Sequence, residues 1–302
     1  MATVAIVGAG DIGGATAQAL ASCDRVHRVW LVDAAAGAAA GKALDLQQAG
    51  AIAGHHARLD GTSDETRLIG CAVCVVADRF GVSTGERCSA GPQNGDSQNG
   101  EWQTGEWQGD EGLSMLGRIT RYLGDAPIVF AGASHAGLLS RLAGETPIRR
   151  ERLIGSSAEA LVSAITAIVA MEASCSPPEV MLAVLGTPPD GFVVPWSEAS
   201  IGGYGMQRVL SQVQLARIEA RVARLWPPGP YALGAAAASV TDAILANSRR
   251  SFSIITQLHG EFGVKRRPGA LPARLSAGGI AQVRVPELGT REQVRLQTAL
   301  GG

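Results

Sequence analysis

The chain has 302 residues, of which 46% are hydrophobic and 18% charged, so it can bury a substantial core and is not disordered as a whole. Its 26 basic and 27 acidic residues give a net charge of −1, which argues against a general binder of polyanions, so nucleic acid is not predicted as a partner. At roughly 100–200 residues per domain, the length indicates two domains or one large one.

Membrane insertion and export are not predicted from the sequence. The longest apolar run, residues 160–171, is shorter than the roughly 18–20 residues needed to cross a bilayer and is predicted to be a buried helix. The N-terminal residues lead directly into a glycine motif without a basic segment, unlike a signal peptide. Five scattered cysteines do not suggest a disulfide framework, and a reducing cytoplasmic location is predicted.

Two of these cysteines, Cys71 and Cys74, form a C-x-x-C pair. They lie in a β-branched run that predicts a buried strand, on which positions three apart point to opposite faces. The sequence therefore favours two structural thiols over a metal or redox site, and no metal site is predicted.

In the first half, apolar strands alternate with helices, which predicts an α/β fold with a parallel sheet covered on both faces. The predicted strands are residues 3–7, 29–32, 73–77 and 128–131. The predicted helices are residues 13–22, 38–48 and 113–123.

The second half has longer helices followed by a group of strands. The predicted helices are residues 156–174, 206–226, 231–247 and 290–300. The predicted strands are residues 252–259, 271–276 and 281–285. Because the pattern changes near residue 150, we predict one domain over residues 1–148 and a second over 149–302.

A pentad repeat occupies residues 93–112. Glutamine recurs every fifth residue from Gln93, and the first three glutamines are each followed three residues later by a carboxylate, at Asp96, Glu101 and Glu106. A period of five fits neither helix nor strand, so we predict a flexible, solvated and acidic loop. The favoured interpretation is a tolerated surface expansion, and the alternative is a contact for a protein partner through Trp102 and Trp107.

A complete G-x-G-x-x-G motif, GAGDIG at residues 8–13, follows the first predicted strand and opens a helix. Its glycines permit the tight turn, the approach of a pyrophosphate and close helix–strand packing. Asp33 ends the second predicted strand, 20 residues after Gly13, where a carboxylate binds ribose hydroxyls and repels a 2′-phosphate. NAD(H) is therefore predicted over NADP(H), and the alternative is a glycine turn that binds nothing.

With these motifs the sequence resembles the L-lactate/malate dehydrogenase family over nearly its whole length. The resemblance implies a Rossmann-type parallel sheet followed by an α+β substrate-type domain, an NAD cofactor, and assembly into homodimers or homotetramers. The segments that carry it are VGAGDIGG at 7–14, LVD at 31–33, GKALDL at 41–46, GTSDETRLIG at 61–70, YALGAAAASVTDAIL at 231–245, LHGEFGVK at 258–265 and SAGGIAQV at 276–283. The cofactor-binding residues it implies are Gly8, Gly10, Asp11, Ile12, Gly13, Asp33 and Ala77.

The family's catalytic residues do not carry over. The family uses a His as general acid/base, an Asp that orients it, and arginines that hold the substrate carboxylate. The resemblance places Pro188 at the His position, Val82 and Cys88 at two arginine positions, and Ala133 at an Asn position. The helix predicted from residue 156 has neither the orienting Asp nor its companion Arg.

Three functional hypotheses follow. The first is an NAD(H)-binding family member without ordinary 2-hydroxy-acid dehydrogenase activity. The acidic pentad tract adds negative charge where a carboxylate substrate would enter, which further disfavours binding of such a substrate. The second is an active NAD-dependent oxidoreductase with a relocated site that uses His135, Arg79 or Asp190. The third is a structural or subunit-type protein that no longer binds the cofactor.

Overall fold

One large mixed sheet runs through the protein. The computed structural model describes residues 1–81, 105–188, 191–222 and 224–301. The strands are β1 Ala2–Val7, β2 Val26–Val32, β3 Arg58–Thr62, β4 Val73–Val76, β5 Ile128–Phe130, β6 Leu153–Gly155, β7 Val180–Met181, β8 Leu185–Thr187, β9 Gly191–Val193, β10 Ser200–Ile201, β11 Tyr204–Gly205, β12 Ser251–His259, β13 Lys265–Ser276 and β14 Gly279–Val283. The helices are α1 Asp11–Ala21, α2 Ala36–Ala53, α3 Gly109–Leu123, α4 His135–Glu145, α5 Ser157–Ala173, α6 Met206–Val209, α7 Gln212–Val222, α8 Pro230–Leu245 and α9 Thr290–Gly301.

The first six strands form the parallel part of the sheet, in the order β3-β2-β1-β4-β5-β6. This confirms the predicted α/β fold with a parallel sheet. The last four residues of β1, Val4 to Val7, and all of β4 are buried, as expected for strands covered on both faces. The carboxyl ends of β1, β2, β4 and β5 lie along one edge, where open sheets of this kind bind ligands.

Three elements of this half were not predicted. The edge strand β3 buries only Leu59, so it lacks the apolar run that marks a strand. Its Gly61 lies against the α2 backbone, where an added Cβ would overlap Ala39. Strand β6 has only three residues, which is too short for a recognisable pattern. Helix α4 follows the short strand β5, and no separate sequence signal marks it as a helix.

Past residue 150 the sheet continues but its pairing changes. Strand β6 is parallel to β5, and β12 then pairs antiparallel with β6 through Ile255 and Gly155. The order continues β12-β13-β8-β9, with β14 on β13, and a separate small sheet contains β11, β10 and β7. The predicted division at residue 148 therefore coincides with a change of pairing inside one sheet, and as a domain boundary it stays a prediction.

Helices on both faces bury the sheet and support α1. On one face α8, from the second half of the chain, packs against α1 so closely that a Cβ on Gly234 would lie 2.6 Å from the Ala15 Cβ. On the other face Leu116 of α3 and Leu139 of α4 belong to the same core cluster as Phe130 of β5. Among the helices described, none is both long and apolar enough to cross a membrane.

The predicted helix over residues 206–226 is wrong as one element. It is divided into α6 and α7 at Leu210, whose backbone is extended, with φ −105° and ψ 137°. Ser211 begins α7 through reciprocal hydrogen bonds: its amide and hydroxyl both donate to the Gln214 side chain at 2.9 Å, and its hydroxyl accepts from the Gln214 amide at 3.4 Å. This is a capping box, which starts a new helix rather than continuing one. Val209 of α6 and Val213 of α7 are both exposed.

The predicted flexible loop over residues 93–112 is wrong for the part that the structure describes, residues 105–112. Trp107 is 5% exposed and belongs to the core around Phe130, and Glu106 is 7% exposed. Helix α3 begins at Gly109, inside the repeat rather than after it. The interpretation of Trp107 as an exposed contact for a partner is therefore also wrong, while Trp102 and residues 93–104 lie outside the described residues.

The two thiols of the C-x-x-C pair lie in one core cluster, not on opposite faces. Cys71 precedes β4 rather than lying on it, so the alternation of a strand does not separate it from Cys74. Burial raises the pKa of Cys71 to about 11 and that of Cys74 well above its usual value. Both groups are therefore protonated near neutral pH, which suits structural thiols better than reactive ones.

A buried carboxylate on α5 gives a test of the fold. Glu159 is 8% exposed, accepts a hydrogen bond from the Ser253 amide of β12 at 2.9 Å, and has Arg250 at 3.5 Å. Desolvation raises the pKa of Glu159 above its usual value, although the Ser253 amide and Arg250 oppose the shift. The ionised form therefore destabilises the folded state once the pH rises through this raised pKa.

We expect Glu159→Gln to be more stable than the wild type near pH 7, because the amide keeps an acceptor for Ser253 without a buried charge. The difference should shrink by about pH 4, where Glu159 is largely protonated in the folded and unfolded states. Urea unfolding at the two pH values measures it. The exposed Glu179→Gln is the matched control and should follow the wild type, and a Glu159→Gln variant that is less stable at neutral pH would contradict the interpretation.

Candidate cofactor site

The glycine loop, residues 8–13, joins β1 to α1 and requires glycine at two positions. Gly8 has φ +96°, and a Cβ there would overlap the Asp78 backbone carbonyl at the end of β4. A Cβ on Gly13 would overlap the Gly8 carbonyl, so its absence lets the helix start close to the strand. These are the roles predicted for the first and third glycines of the motif.

Lys42 of α2 holds the loop from one side. Its Nζ donates a 2.7 Å hydrogen bond to the Gly10 carbonyl oxygen. The sequence contains only one other lysine, Lys265, so this contact uses a rare cation of the chain. Lys42 was not predicted as a site residue, because nothing in its local pattern links it to the loop.

The Asp78 carboxylate occupies the N-terminus of α1. Its Oδ2 accepts from the Gly13 amide at 2.7 Å, and its Oδ1 accepts from the Ile12 amide at 3.4 Å. The N-cap residue of this helix is Gly10, which has no side chain to cap it, and Asp78 supplies the acceptor from 65 residues away along the chain. Asp78 is fully buried, and a Cβ on Gly10 would lie 2.7 Å from its Oδ1.

Asp33 also accepts hydrogen bonds from backbone donors. It follows β2, as predicted, and is 3% exposed. Its Oδ2 accepts from the Ala9 amide, and its Oδ1 accepts from the amides of Ala35 and Gly81, each at 2.9 Å. An ionised carboxylate offers about four acceptor positions, so three of them are taken by the chain itself.

The segment that contributes both Asp78 and Gly81 is anchored by the end of the pentad tract. The Arg79 amide donates to the Gly105 carbonyl at 2.7 Å, and Phe80 packs edge-on against Trp107 with ring centroids 5.0 Å apart. The Arg79 guanidinium binds both oxygens of Glu111, at 2.6 and 2.8 Å. Arg79, a candidate residue of the relocated active site, therefore forms an ion pair with a carboxylate of the same chain.

His135, the candidate for a relocated acid/base, begins α4 and is 1% exposed. Its Nδ1 accepts from the Gly132 amide at 3.1 Å, which assigns the proton of the neutral ring to Nε2, and Nε2 has no hydrogen-bond partner among the described residues. Burial lowers the pKa of His135, and nearby Glu106 opposes that shift. The imidazole is therefore neutral near pH 7 and closed off from solvent.

The carboxylates described in the pentad tract are paired within the protein. Glu106 accepts hydrogen bonds from the amide and hydroxyl of Ser134, at 2.7 and 2.6 Å. Asp110 pairs with Arg141 at 2.7 Å. The arginine pairs neutralise two of the three carboxylates over residues 105–111, Asp110 and Glu111, whereas Glu106 is bound by neutral donors; the predicted negative charge there is reduced rather than removed.

The remaining candidate positions are separated. Pro188 is buried after β8, Ala133 is 9% exposed after β5, and Ala77 donates its amide to the Val7 carbonyl at 2.9 Å. Val82, Cys88 and Asp190 lie outside the described residues. Within the described ranges, no three His, Cys, Asp or Glu residues group as metal ligands.

Sequence reasoning missed Asp78 and Gly81. One signal for Asp78 was present: a charged residue directly follows a buried strand, at the same sheet edge as the glycine loop. Gly81, by contrast, reaches Asp33 only because the chain turns back after β4, and no pattern marks this.

The glycine turn, the acid after β2 and their position at the carboxyl edge of a parallel sheet define a dinucleotide-binding fold. Residues 2–86 match the family model described as "lactate/malate dehydrogenase, NAD binding domain". Over its full length the chain is 27% identical to the malate dehydrogenase of Thioalkalivibrio sulfidiphilus, covering 100% of this chain and 97% of that relative. It is 26% identical to the malate dehydrogenase of Salinibacter ruber, covering 99% and 93%. The chain is thus similar over its whole length to malate dehydrogenases, and its residues 2–86 match the NAD-binding domain of the lactate/malate dehydrogenase family.

Solved structures show the same fold. The malate dehydrogenase structure from Salinibacter ruber superposes with a TM-score of 0.81 at 22% identity, over 99% of this chain and 94% of that one. The structure from Aeropyrum pernix gives a TM-score of 0.84 at 21% identity, over 99% and 95%. These similarities confirm the predicted fold class.

The family model also confirms NAD as the cofactor. The backbone fits it: Gly10 has no side chain over the loop, and the Ile12 and Gly13 amides point from the α1 N-terminus toward the place where a pyrophosphate binds in this motif. Asp33 follows β2 at the same sheet edge, where a carboxylate in this motif would hold the adenosine ribose. In this structure the Ile12 and Gly13 amides contact Asp78, and the Asp33 carboxylate contacts the Gly81 amide.

Asp78→Ala should lower the free energy of unfolding by about 1–2 kcal/mol, because it leaves the Ile12 and Gly13 amides without their acceptor. Urea unfolding in the absence of nucleotide measures the change. Asp125→Asn is the matched control, since Asp125 is almost fully exposed at the opposite end of β5. Equal stability of Asp78→Ala and wild type would show that the carboxylate does not cap α1.

Proposed function

We propose that this protein is an NAD(H)-binding member of the lactate/malate dehydrogenase family that does not catalyse ordinary 2-hydroxy-acid dehydrogenation. The observation that carries the proposal is Pro188, which stands at the family's acid/base position and has no ionisable group. Hydride transfer to or from a 2-hydroxy acid needs a partner for the hydroxyl proton, and proline cannot take or supply one.

The substrate clamps support the same conclusion. By resemblance, Val82 and Cys88 replace two arginines that would bind the substrate carboxylate, and Ala133 replaces an asparagine. The nearest described arginine after β4 is Arg79, whose guanidinium is bound by Glu111. Without a bidentate cation, neither orientation of the carboxylate nor polarisation of the keto group is provided at these positions.

The retained glycine loop and Asp33 favour a role that depends on cofactor binding itself, such as sensing NAD(H) or serving as a subunit of a larger assembly. A relocated active site centred on His135 is less favoured, because the ring is buried and its Nδ1 is used by the Gly132 amide. Assembly into a homo-oligomer, a possible protein partner and a cytoplasmic location stay predictions from the sequence.

The wild-type protein should bind NADH in a calorimetric titration but should not oxidise it with oxaloacetate, pyruvate or a wider panel of 2-oxo acids above the background rate. Gly10→Trp is the control for binding, because a side chain at residue 10 would overlap Asp78 and would occupy the space over the turn where this motif binds a pyrophosphate. Its folding is checked by circular dichroism. Turnover at ordinary dehydrogenase rates that Gly10→Trp abolishes would refute the proposal.

The relocated-site alternative has its own test. It requires that a carbonyl or alcohol outside the 2-oxo-acid class support NAD-dependent turnover, and that His135→Ala remove it while NADH binding persists. The same turnover in wild type and His135→Ala would exclude His135 as the acid/base.

A further inference from the structure

Residues 78–81 contact both parts of the dinucleotide motif, the glycine turn at the start of α1 and Asp33. At one end the Asp78 carboxylate accepts from the Ile12 and Gly13 amides at the α1 N-terminus. At the other end the Gly81 amide donates to Asp33. These amides and this carboxylate are the groups that a G-x-G-x-x-G turn and its following acid use for pyrophosphate and ribose.

The pairing is chemically complementary on both sides. A carboxylate and a phosphate are both oxyanions, and both suit the amides and dipole of a helix N-terminus. A backbone N–H and a ribose hydroxyl are both donors, and both suit Asp33. Residues 78–81 thus present an acceptor where the cofactor has an acceptor and a donor where the cofactor has a donor.

We propose that residues 78–81 are an internal competitor of the cofactor, with Asp78 in place of the pyrophosphate and the Gly81 amide in place of a ribose hydroxyl. NAD(H) then binds only when this segment is displaced. The inference rests on the proposed NAD(H)-binding function and states how that binding is regulated.

Charge makes simultaneous occupancy unfavourable. Asp78 is fully buried against the loop, Asp33 is buried beside it, and the cation that contacts the loop within the described residues is Lys42. A pyrophosphate would bring further negative charge next to Asp78 at low local dielectric, where like charges repel strongly. Asp78 already accepts from the Ile12 and Gly13 amides, and its side chain lies where a Cβ on Gly10 would be.

The competing segment is held by contacts that displacement must break or shift. Phe80 packs against Trp107, and the Arg79 amide bonds to Gly105. Gly105 and Trp107 belong to the described end of the pentad tract. This end of the tract therefore holds residues 78–81 against the cofactor site. Binding is therefore coupled to movement of residues 78–81 against residues 105–111.

A purely structural cap and a competitor predict different results for the same substitution. Removal of a cap lowers stability and does not improve nucleotide binding. Removal of a competitor lowers stability in the absence of nucleotide and raises affinity for NADH, because the amides no longer have to be freed first.

The decisive measurement is the Kd for NADH of wild type, Asp78→Asn and Asp78→Ala by calorimetric titration, with circular dichroism to verify folding. Asp78→Asn removes the charge and keeps an acceptor for the Gly13 amide, so it remains informative if Asp78→Ala is unstable. We expect both variants to bind NADH about tenfold or more tightly than wild type. Asp125→Asn removes the same charge at the opposite edge of the sheet and should bind as wild type does.

Adenosine is the second probe, because it has the ribose diol but no phosphate. The gain from Asp78→Asn should be much smaller for adenosine than for NADH, and an equal gain for both would show general loosening and overturn the competition. Wild-type binding of NADH with no gain in either variant would overturn the inference and leave the proposed function intact. Binding only in the variants would support the inference and refute NADH binding by the wild type, and no binding in any folded variant would refute both.

Discussion

The close approach of the β1–α1 turn to the end of β4 is the contact on which the site depends. Gly8 has no Cβ because the Asp78 carbonyl lies where one would be, and Gly13 has none because the Gly8 carbonyl does. This proximity brings the first turn of α1 within hydrogen-bonding distance of the Asp78 side chain. A helix whose N-cap is glycine needs an external acceptor, and here the acceptor is a carboxylate of the protein itself.

Other parts of the fold maintain that contact from several directions. Helix α8, from the second half of the chain, presses Gly234 against α1, and Lys42 holds the Gly10 carbonyl from α2. The residues after β4 are fixed by Trp107 and Gly105, which precede α3. The cofactor loop is therefore supported by elements spread over most of the sequence.

The parts predicted well from the sequence are those with a local cause. The glycine turn, its flanking strand and helix, and the acid at the end of β2 all follow from residue types within about 30 positions, as does the parallel sheet. Strand β3 was missed because it has few apolar residues and a glycine forced by the α2 backbone. Asp78 could be placed at the correct sheet edge, but the partner of its carboxylate is 65 residues away, and no local pattern encodes that distance.

The pentad tract shows a second limit. Its period of five describes residues 93–112 as uniform, whereas the fold treats its repeats differently: Trp107 enters the core, Glu106 binds Ser134, and α3 begins two residues after Trp107. A repeat period describes composition, but burial depends on which repeat meets a complementary surface, and for Trp107 that surface is Phe80 and the face of α3.

The same reasoning applies to the net charge of −1. Near-neutrality arises here from specific pairs, such as Arg79 with Glu111 and Arg141 with Asp110. The charge that matters for binding an anionic cofactor is therefore the local one at the glycine loop, where the described part of the chain places Asp33, Asp78 and Lys42.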